Sequence, residues 1–467
     1  MKRFLQAILL GMLTSCLTTQ AQSGYQAPKD PLVIRRLAQW QDQKFGLFMH
    51  WGAYSEWGVG ESWTICPDEW VRRSGPYSDN YFEYKKAYEN LPAIFNPVAF
   101  NPEKWTKAAR EAGMRYVVFT TKHHDGFCMY DTRLTDYKIT GTKSAFASNP
   151  RSNVTKEIFD AFRKDSFMIG AYFSKPDWHS EYFWWPYFPP KDHNVNYSTR
   201  QYPDRWQKFR DFTYDQIEEL MTGYGKVDIL WLDGGWVKPS EKLNDPYDMN
   251  IDMARIGGMA RSHQPGLIVV DRTVGGEFEN YTTPEQEVPE KPLSYPWETC
   301  MTMGTSWSYS PNDKYKSAHD LVQLLVKIVS RGGNFLLNVG PDGHGDWDPV
   351  VYERLRDIGA WMKINGEGIY ASKPVSPYSA GNIYFTRSAV KPVIYAFWLS
   401  DKEEVYLPAQ IDLPVEGVTG IRSVELLGGK EKCKWSYANG HITLRIPASL
   451  QQHSSLKNSA VFKIVHW

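Results

Sequence analysis

A chain of 467 residues is too long for one small core and suits a large domain with a smaller companion. Hydrophobic residues make up 42% and charged residues 23%, an ordinary globular balance that excludes a disordered chain. Lys+Arg and Asp+Glu stand at 53 each, so no net field draws the protein to nucleic acid or to a membrane surface.

The chain opens on a targeting segment. Lys2 and Arg3 precede an apolar stretch, Phe4 to Leu13, too short to span a bilayer. Residues 1–22 are therefore read as a signal peptide, with export from a bacterial cell to the periplasm or the outer membrane. Two processing sites compete. "TQA" at Thr19 to Ala21 suits simple cleavage, whereas "LTSC" at Leu13 to Cys16 looks like a lipoprotein box that would place a lipid anchor on Cys16. No later run approaches the ~20 apolar residues of a transmembrane helix.

Six short apolar runs then share one form, each ending in polar residues and a loop. They are "FGLFMHWG" from Phe45, "YVVFTTKHHDGF" from Tyr116, "MIGAYFSKPDWH" from Met168, "VDILWLDGGW" from Val227, "LIVVDR" from Leu267 and "NFLLNVGP" from Asn334. Continuous runs of this length predict parallel strands buried on both faces. Helical periodicity lies between them, at Pro102 to Met114, Pro203 to Gly225 and Ser317 to Gly333. Alternation of strand and helix means α/β with a parallel sheet. At least four strands end in His, Asp or Arg, and there is no G-x-G-x-x-G phosphate loop. Polar residues at many strand ends favour an irregular (β/α)8 TIM-like barrel over an open sheet. Six strands are clear, leaving two irregular. The barrel is assigned residues 23–368. Beyond it, alternating segments such as "PVIYAFWLS", and Asn439-Gly440 in "YANGHITL", predict a C-terminal β-sandwich over 369–467 that braces the barrel.

Asp233 stands out, because a carboxylate at the end of an apolar strand is costly unless something pairs with it. Gly234 and Gly235 let the chain turn away and leave space above it. Trp231, two residues back, shares its face. The plain alternative is a helix or turn cap. His50 ends the first run; His123, His124 and Asp125 end the second. Two adjacent histidines in a strand point to opposite faces, so only one faces a ligand unless the strand has already broken. His-His-Asp also suggests zinc, but the spacing is wrong and no H-E-x-x-H or cysteine pair supports it, so no metal and no cofactor are expected. Arg272 pairs either with a carboxylate or sugar hydroxyl of a site, or with Asp271 or another surface acid. The loop from Gly275 holds Glu277, Glu279, Glu285, Glu287, Glu290 and Glu298, most of them expected in solvent, one of them a candidate second carboxylate. "GPDGHGDWD" at Gly340 to Asp348 is read as a turn rather than a calcium loop. "SEYFWWPYFPP" at Ser180 to Pro190 is an aromatic loop, either an outer subsite or a lid. Cys66, Cys128, Cys300 and Cys433 are scattered, with no disulfide framework. With 19 Trp, 28 Tyr and 22 Phe, most aromatics belong in the core, and some suit a sugar site.

"FGLFMHWGAYS", "YVVFTTKHHDGFCMYDT", "GAYFSKPDWH", "DILWLDGGW", "VVDR" and "GGNFLLNVGPDGHG" resemble, in that order, the α-L-fucosidases of glycoside hydrolase family 29. The resemblance covers roughly residues 35 to 370. It implies a metal-free retaining enzyme that releases terminal α-L-fucose from fucosylated glycans. It places the nucleophile at Asp233 and fucose contacts at His50, His123, His124, Tyr172, Trp231 and Arg272. "TTPEQEVP" makes Glu285 the first choice for the acid/base, with Glu287 and Glu298 as alternatives; Glu298 is read as a supporting residue. Trp57, Trp63 and Trp70 compete for the aromatic position beside the fucose methyl. Rival readings are a glycosidase preferring α-L-galactosides, a non-catalytic glycan-binding protein, and a metal hydrolase built on His123, His124 and Asp125.

Overall fold

The computed structural model describes residues 24–429, 432–452 and 456–467; residues 1–22, read above as a signal peptide, and with them Cys16, lie outside these. Seven strands form one parallel sheet: β1 (Phe45–Met49), β2 (Tyr116–Lys122), β3 (Met168–Ser174), β4 (Ile229–Asp233), β5 (Ile268–Asp271), β6 (Glu298–Thr302) and β7 (Asn334–Val339). The order β5-β4-β3-β2-β1-β7-β6 curls the sheet towards a barrel, with its seam between β5 and β6. Residues 279–286 fill that seam. Glu279 bridges Val270 in antiparallel sense, then Thr282 and Glu285 bridge Trp297 and Cys300 in parallel sense. The eighth position of the barrel is thus occupied by irregular chain.

Six of the seven strands are the apolar runs. The exception is β6, "ETCMT", whose two threonines and a glutamate carry no apolar signal. Along each strand the side chains alternate. Phe48, Val118, Tyr172, Trp231, Val270 and Leu336 fill the barrel interior. Leu47, Val117, Phe173, Leu232, Val269 and Leu337 pack outwards under the helices. Both faces are buried, which is why the runs read as continuous.

The C-terminal strands are β8 (Ser372–Ala380), β9 (Ile383–Ser388), β10 (Val393–Glu404), β11 (Gln410–Pro414), β12 (Ile421–Leu426), β13 (Lys434–Ala438), β14 (His441–Arg445) and β15 (Lys457–His466). They form two antiparallel sheets, β12-β15-β10-β9-β8 and β11-β14-β13. Phe385, Ile394, Leu413, Leu444, Phe462 and Ile464 fill the space between them. The outer face of the larger sheet, with Tyr395, Phe397 and Val461, belongs to the barrel's core. There Trp361 Nε1 donates to Ser459 Oγ at 3.1 Å. Asn439 and Gly440 have φ of 52° and 77° and join β13 to β14 with Ala438 opposite His441, a two-residue hairpin. No helix among the described residues is long and apolar enough to cross a membrane.

Candidate active site

Asp233 ends β4 on the interior face, above Trp231. Gly234 has φ +87° and donates its N–H to Asp233 Oδ1 at 2.8 Å. An added Cβ would stand 2.3 Å from Pro176 at Gly234, and 1.9 Å from Thr273 Oγ1 at Gly235. Only glycine lets the chain leave so close to its neighbours and keep the acid uncovered. Tyr172 Oη donates to Asp233 Oδ2 at 2.8 Å, and Arg272 Nη1 donates to Oδ1 at 3.1 Å. Burial opposes ionisation here, yet Arg272, foremost among the opposing groups, holds the carboxyl well below the ordinary range, helped by His124 and Tyr172. Asp233 is an anion poised at the barrel mouth.

His50, Trp63, His123, His124, Tyr172, Trp231 and Arg272 all line one cavity of about 180 Å³ together with Asp233 and Glu285. It is smaller than the ~300–1,000 Å³ of drug-sized sites and suits one small polar ligand. Of the three competing tryptophans, Trp63 lines it. Trp57 packs against Tyr84 and Tyr88, and Trp70 is exposed outside the cavity.

Both adjacent histidines face the cavity. β2 ends at Lys122 and its register against β3 slips between Thr120 and Lys122. Strand alternation no longer applies at His123 and His124, whose rings lie 4.3 Å apart. The hydrogen-bond network sets two tautomers. Asn338 Nδ2 donates to the Trp307 carbonyl at 2.6 Å, so its Oδ1 accepts from His50 Nδ1 at 2.7 Å. Ser174 Oγ donates to the Pro176 carbonyl at 2.8 Å, so it accepts from His124 Nδ1 at 2.5 Å. Nε2 of both rings is left as an acceptor. Burial lowers His50 and His124 to about 4, and His123 well below the ordinary value, so all three are neutral near pH 7. His124 Nε2 lies 3.7 Å from Asp233 Oδ2. Two acceptors facing each other call for a donor between them, such as a ligand hydroxyl.

Donor atoms of His123, His124 and Asp233 lie within 4.8 Å of one another, close enough to hold a cation. The guanidinium already on Asp233 repels a second positive charge there. Asp125, the third member of the His-His-Asp run, accepts from Tyr88 Oη at 2.6 Å and does not line the cavity. The contiguous triad is therefore not a metal set.

Arg272 joins two carboxylates. Nη1 binds Asp233, Nη2 binds Glu285, and Nε donates to Thr283 Oγ1 at 3.2 Å. Asp271, one of its alternative partners, is instead paired with the buried Lys175 at 2.5 Å. Glu285 hangs from the irregular seam and is 40% exposed at its side chain. Glu287 is exposed and outside the cavity. The picture of a solvated acidic loop needs two corrections. Glu279 is buried and accepts from the backbone N–H groups of Thr273 and Gly275, at 3.0 and 2.5 Å, closing the turn after β5. Glu298 opens β6 and is sealed beneath the cavity floor, accepting from Tyr116 Oη at 2.6 Å and Trp231 Nε1 at 3.2 Å.

Burial pushes the Glu298 carboxyl up to about 7. The folded state holds this proton more tightly than the unfolded chain does. Its contribution to stability is full below the ordinary value of 4.5 and lost as pH rises through about 7. Glu298→Gln is expected to shrink the fall in unfolding free energy between pH 5 and pH 8 by roughly 2–3 kcal/mol. Denaturant titrations at the two pH values check this; an unchanged difference would mean the proton sits elsewhere.

Glu61 is a cavity residue that the sequence reading missed. It is buried and accepts from the Ser308 N–H at 3.1 Å, and burial pushes its carboxyl up to about 7. It follows "GVG" in irregular chain, where nothing marks it as special. Trp236 and Trp307 also line the cavity. Trp236 had a signal, since it closes the "DGGW" turn. Trp307 had none.

A curled parallel β/α barrel that sets one acid at a strand end and a second on its irregular seam, over a cavity of neutral imidazoles and indoles, defines a glycoside hydrolase. The profile described as "Alpha-L-fucosidase" matches residues 12–367, and the chain belongs to that family. It is 28% identical to human plasma α-L-fucosidase over 90% of this chain and 87% of that one. Among solved structures, α-L-fucosidase isoenzyme 1 from Paenibacillus thiaminolyticus superposes with TM-score 0.76 and 27% identity, covering 93% of this chain and all of that one. The Thermotoga maritima α-fucosidase in complex with fucose superposes with TM-score 0.68 and 25% identity, over 92% and 96% of the two chains.

Proposed function

We propose that this chain is an exo-acting, retaining α-L-fucosidase that releases terminal L-fucose from fucosylated glycans. Asp233 is the nucleophile and Glu285 the acid/base. The observation that carries this reading is the guanidinium of Arg272, which holds both carboxylates over one small cavity. Two acids held by the two terminal nitrogens of one guanidinium flank the same small cavity, which supports the ~5–5.5 Å carboxyl spacing that a retaining mechanism needs. A cavity with room for one ring supports exo action. The fucose named with the Thermotoga structure supports the choice of sugar.

Asp233 attacks the anomeric carbon from the face opposite the leaving oxygen and forms a β-linked glycosyl ester. Glu285 gives its proton to that oxygen, then takes one from the water that cleaves the ester. The acceptor nitrogens of His50 and His124 receive sugar hydroxyls. The basic and apolar N-terminal segment supports export, with signal-peptidase processing at the Thr19 to Ala21 site or lipidation at Cys16.

Proton NMR of an aryl α-L-fucoside digest, recorded before mutarotation, tests the reading. α-L-Fucose is expected as the first product. β-L-Fucose first would mean inversion and different roles for the acids. No release from this glycoside or from fucosylated glycans would leave a binding protein.

A further inference from the structure

A cavity that takes one ring sends the rest of a glycan out through its mouth. One wall there is Trp63. Its ring lies 5.3 Å from His124 and 5.7 Å from Trp236, both cavity residues, and 5.1 Å from Trp70. Trp70 is not a cavity residue and is 60% exposed.

The chain that carries Trp70 is pinned on both sides. Asp68 Oδ2 accepts from Cys66 Sγ at 2.7 Å and from the His193 N–H at 3.1 Å, and lies 2.9 Å from His193 Nδ1. His193 in turn packs its ring on Trp236 at 4.9 Å. On the other flank Arg73 donates to the carbonyls of Thr64 and Cys66 at 2.9 and 2.5 Å. An indole left in water yet held by a fixed loop, one ring outward from the cavity wall, is pre-organised for a flat partner. Ordering it at binding costs little.

We propose that Trp70 is the platform for the leaving-group sugar. The C–H face of the pyranose attached to the cleaved fucose rests on its exposed indole. The substrates it selects are then fucosides of another sugar rather than of a small alcohol. This rests on reading the cavity as the fucose site. Stacking contributes to the transition state as long as the leaving sugar is still attached, so its loss falls on kcat/KM.

The test compares wild type, Trp70→Ala and Trp70→Phe on two substrates. One is α-L-fucosyl fluoride, whose leaving group has nothing to stack. The other is a disaccharide of L-fucose α-linked to N-acetylglucosamine. Trp70→Ala is expected to lose about tenfold in kcat/KM on the disaccharide and to stay within twofold on the fluoride. Trp70→Phe, which keeps a flat face, should recover most of the loss. Equal effects on the two substrates, whether none or large, would overturn the platform; a large equal loss would make Trp70 a support for Trp63 instead. A folded wild type that cleaves neither substrate would overturn the reading of the cavity itself, and the platform with it.

Discussion

Replacing Asp233 with alanine is expected to lower turnover by about four orders of magnitude, or ~5.5 kcal/mol in barrier, while the protein stays folded. The chemical loss follows from its place. Asp233 is the cavity carboxylate at the end of an interior strand, held as an anion by Arg272 and Tyr172. Without it no covalent ester forms, and water must reach the anomeric carbon unaided.

The fold should survive because the neighbours are not orphaned. Removing one member of a buried ion pair commonly costs ~3–5 kcal/mol, mostly from the stranded partner. Arg272 keeps Glu285 and Thr283, and Tyr172 Oη faces the cavity, where water replaces the lost acceptor. The variant should therefore melt within a few degrees of wild type. Azide fits the vacated space and should restore activity by giving β-L-fucosyl azide. Turnover within tenfold of wild type would remove Asp233 from the mechanism.

The barrel was legible because burying a parallel strand on both faces leaves a continuous apolar run, as at Val117–Phe119 and Ile229–Leu232. It failed at β6 and at the seam. Glu298 points into the barrel and Thr299 bonds to the Glu287 carbonyl at 2.6 Å, so the strand reads as polar although every residue in it is buried. Residues at strand ends were legible for the same reason: a polar group closing an apolar run has few explanations. His50, Asp233 and Arg272 carry that signature. His124 was ambiguous because where β2 breaks depends on a slipped register, which no residue pattern marks. Glu61 and Trp307 were hidden. They reach the cavity from irregular chain and meet through the Ser308 N–H, a contact between residues 247 positions apart.

Glu285→Ala is expected to slow cleavage of fucosides with poor leaving groups by about 10²–10⁴-fold, and much less where the leaving group needs no proton. Azide should then speed the reaction and give α-L-fucosyl azide, because it attacks the β-linked ester from the face the leaving group vacated. Glu61 is the rival for this role, since burial keeps its proton up to about 7 and it lines the same cavity. Position separates the two. Glu285 hangs from the seam with its side chain 40% exposed, open to the water that the second step requires. Glu61 is enclosed and tied to the backbone at Ser308, placed to hold a ring hydroxyl. Glu61→Ala should therefore weaken both activated and unactivated fucosides alike, with no azide rescue. Rescue of the Glu61 variant with formation of the α-azide, and none for Glu285, would exchange the roles. It would also mean that Arg272 serves to fix Asp233 alone, with Glu285 as its solvent-side counterion.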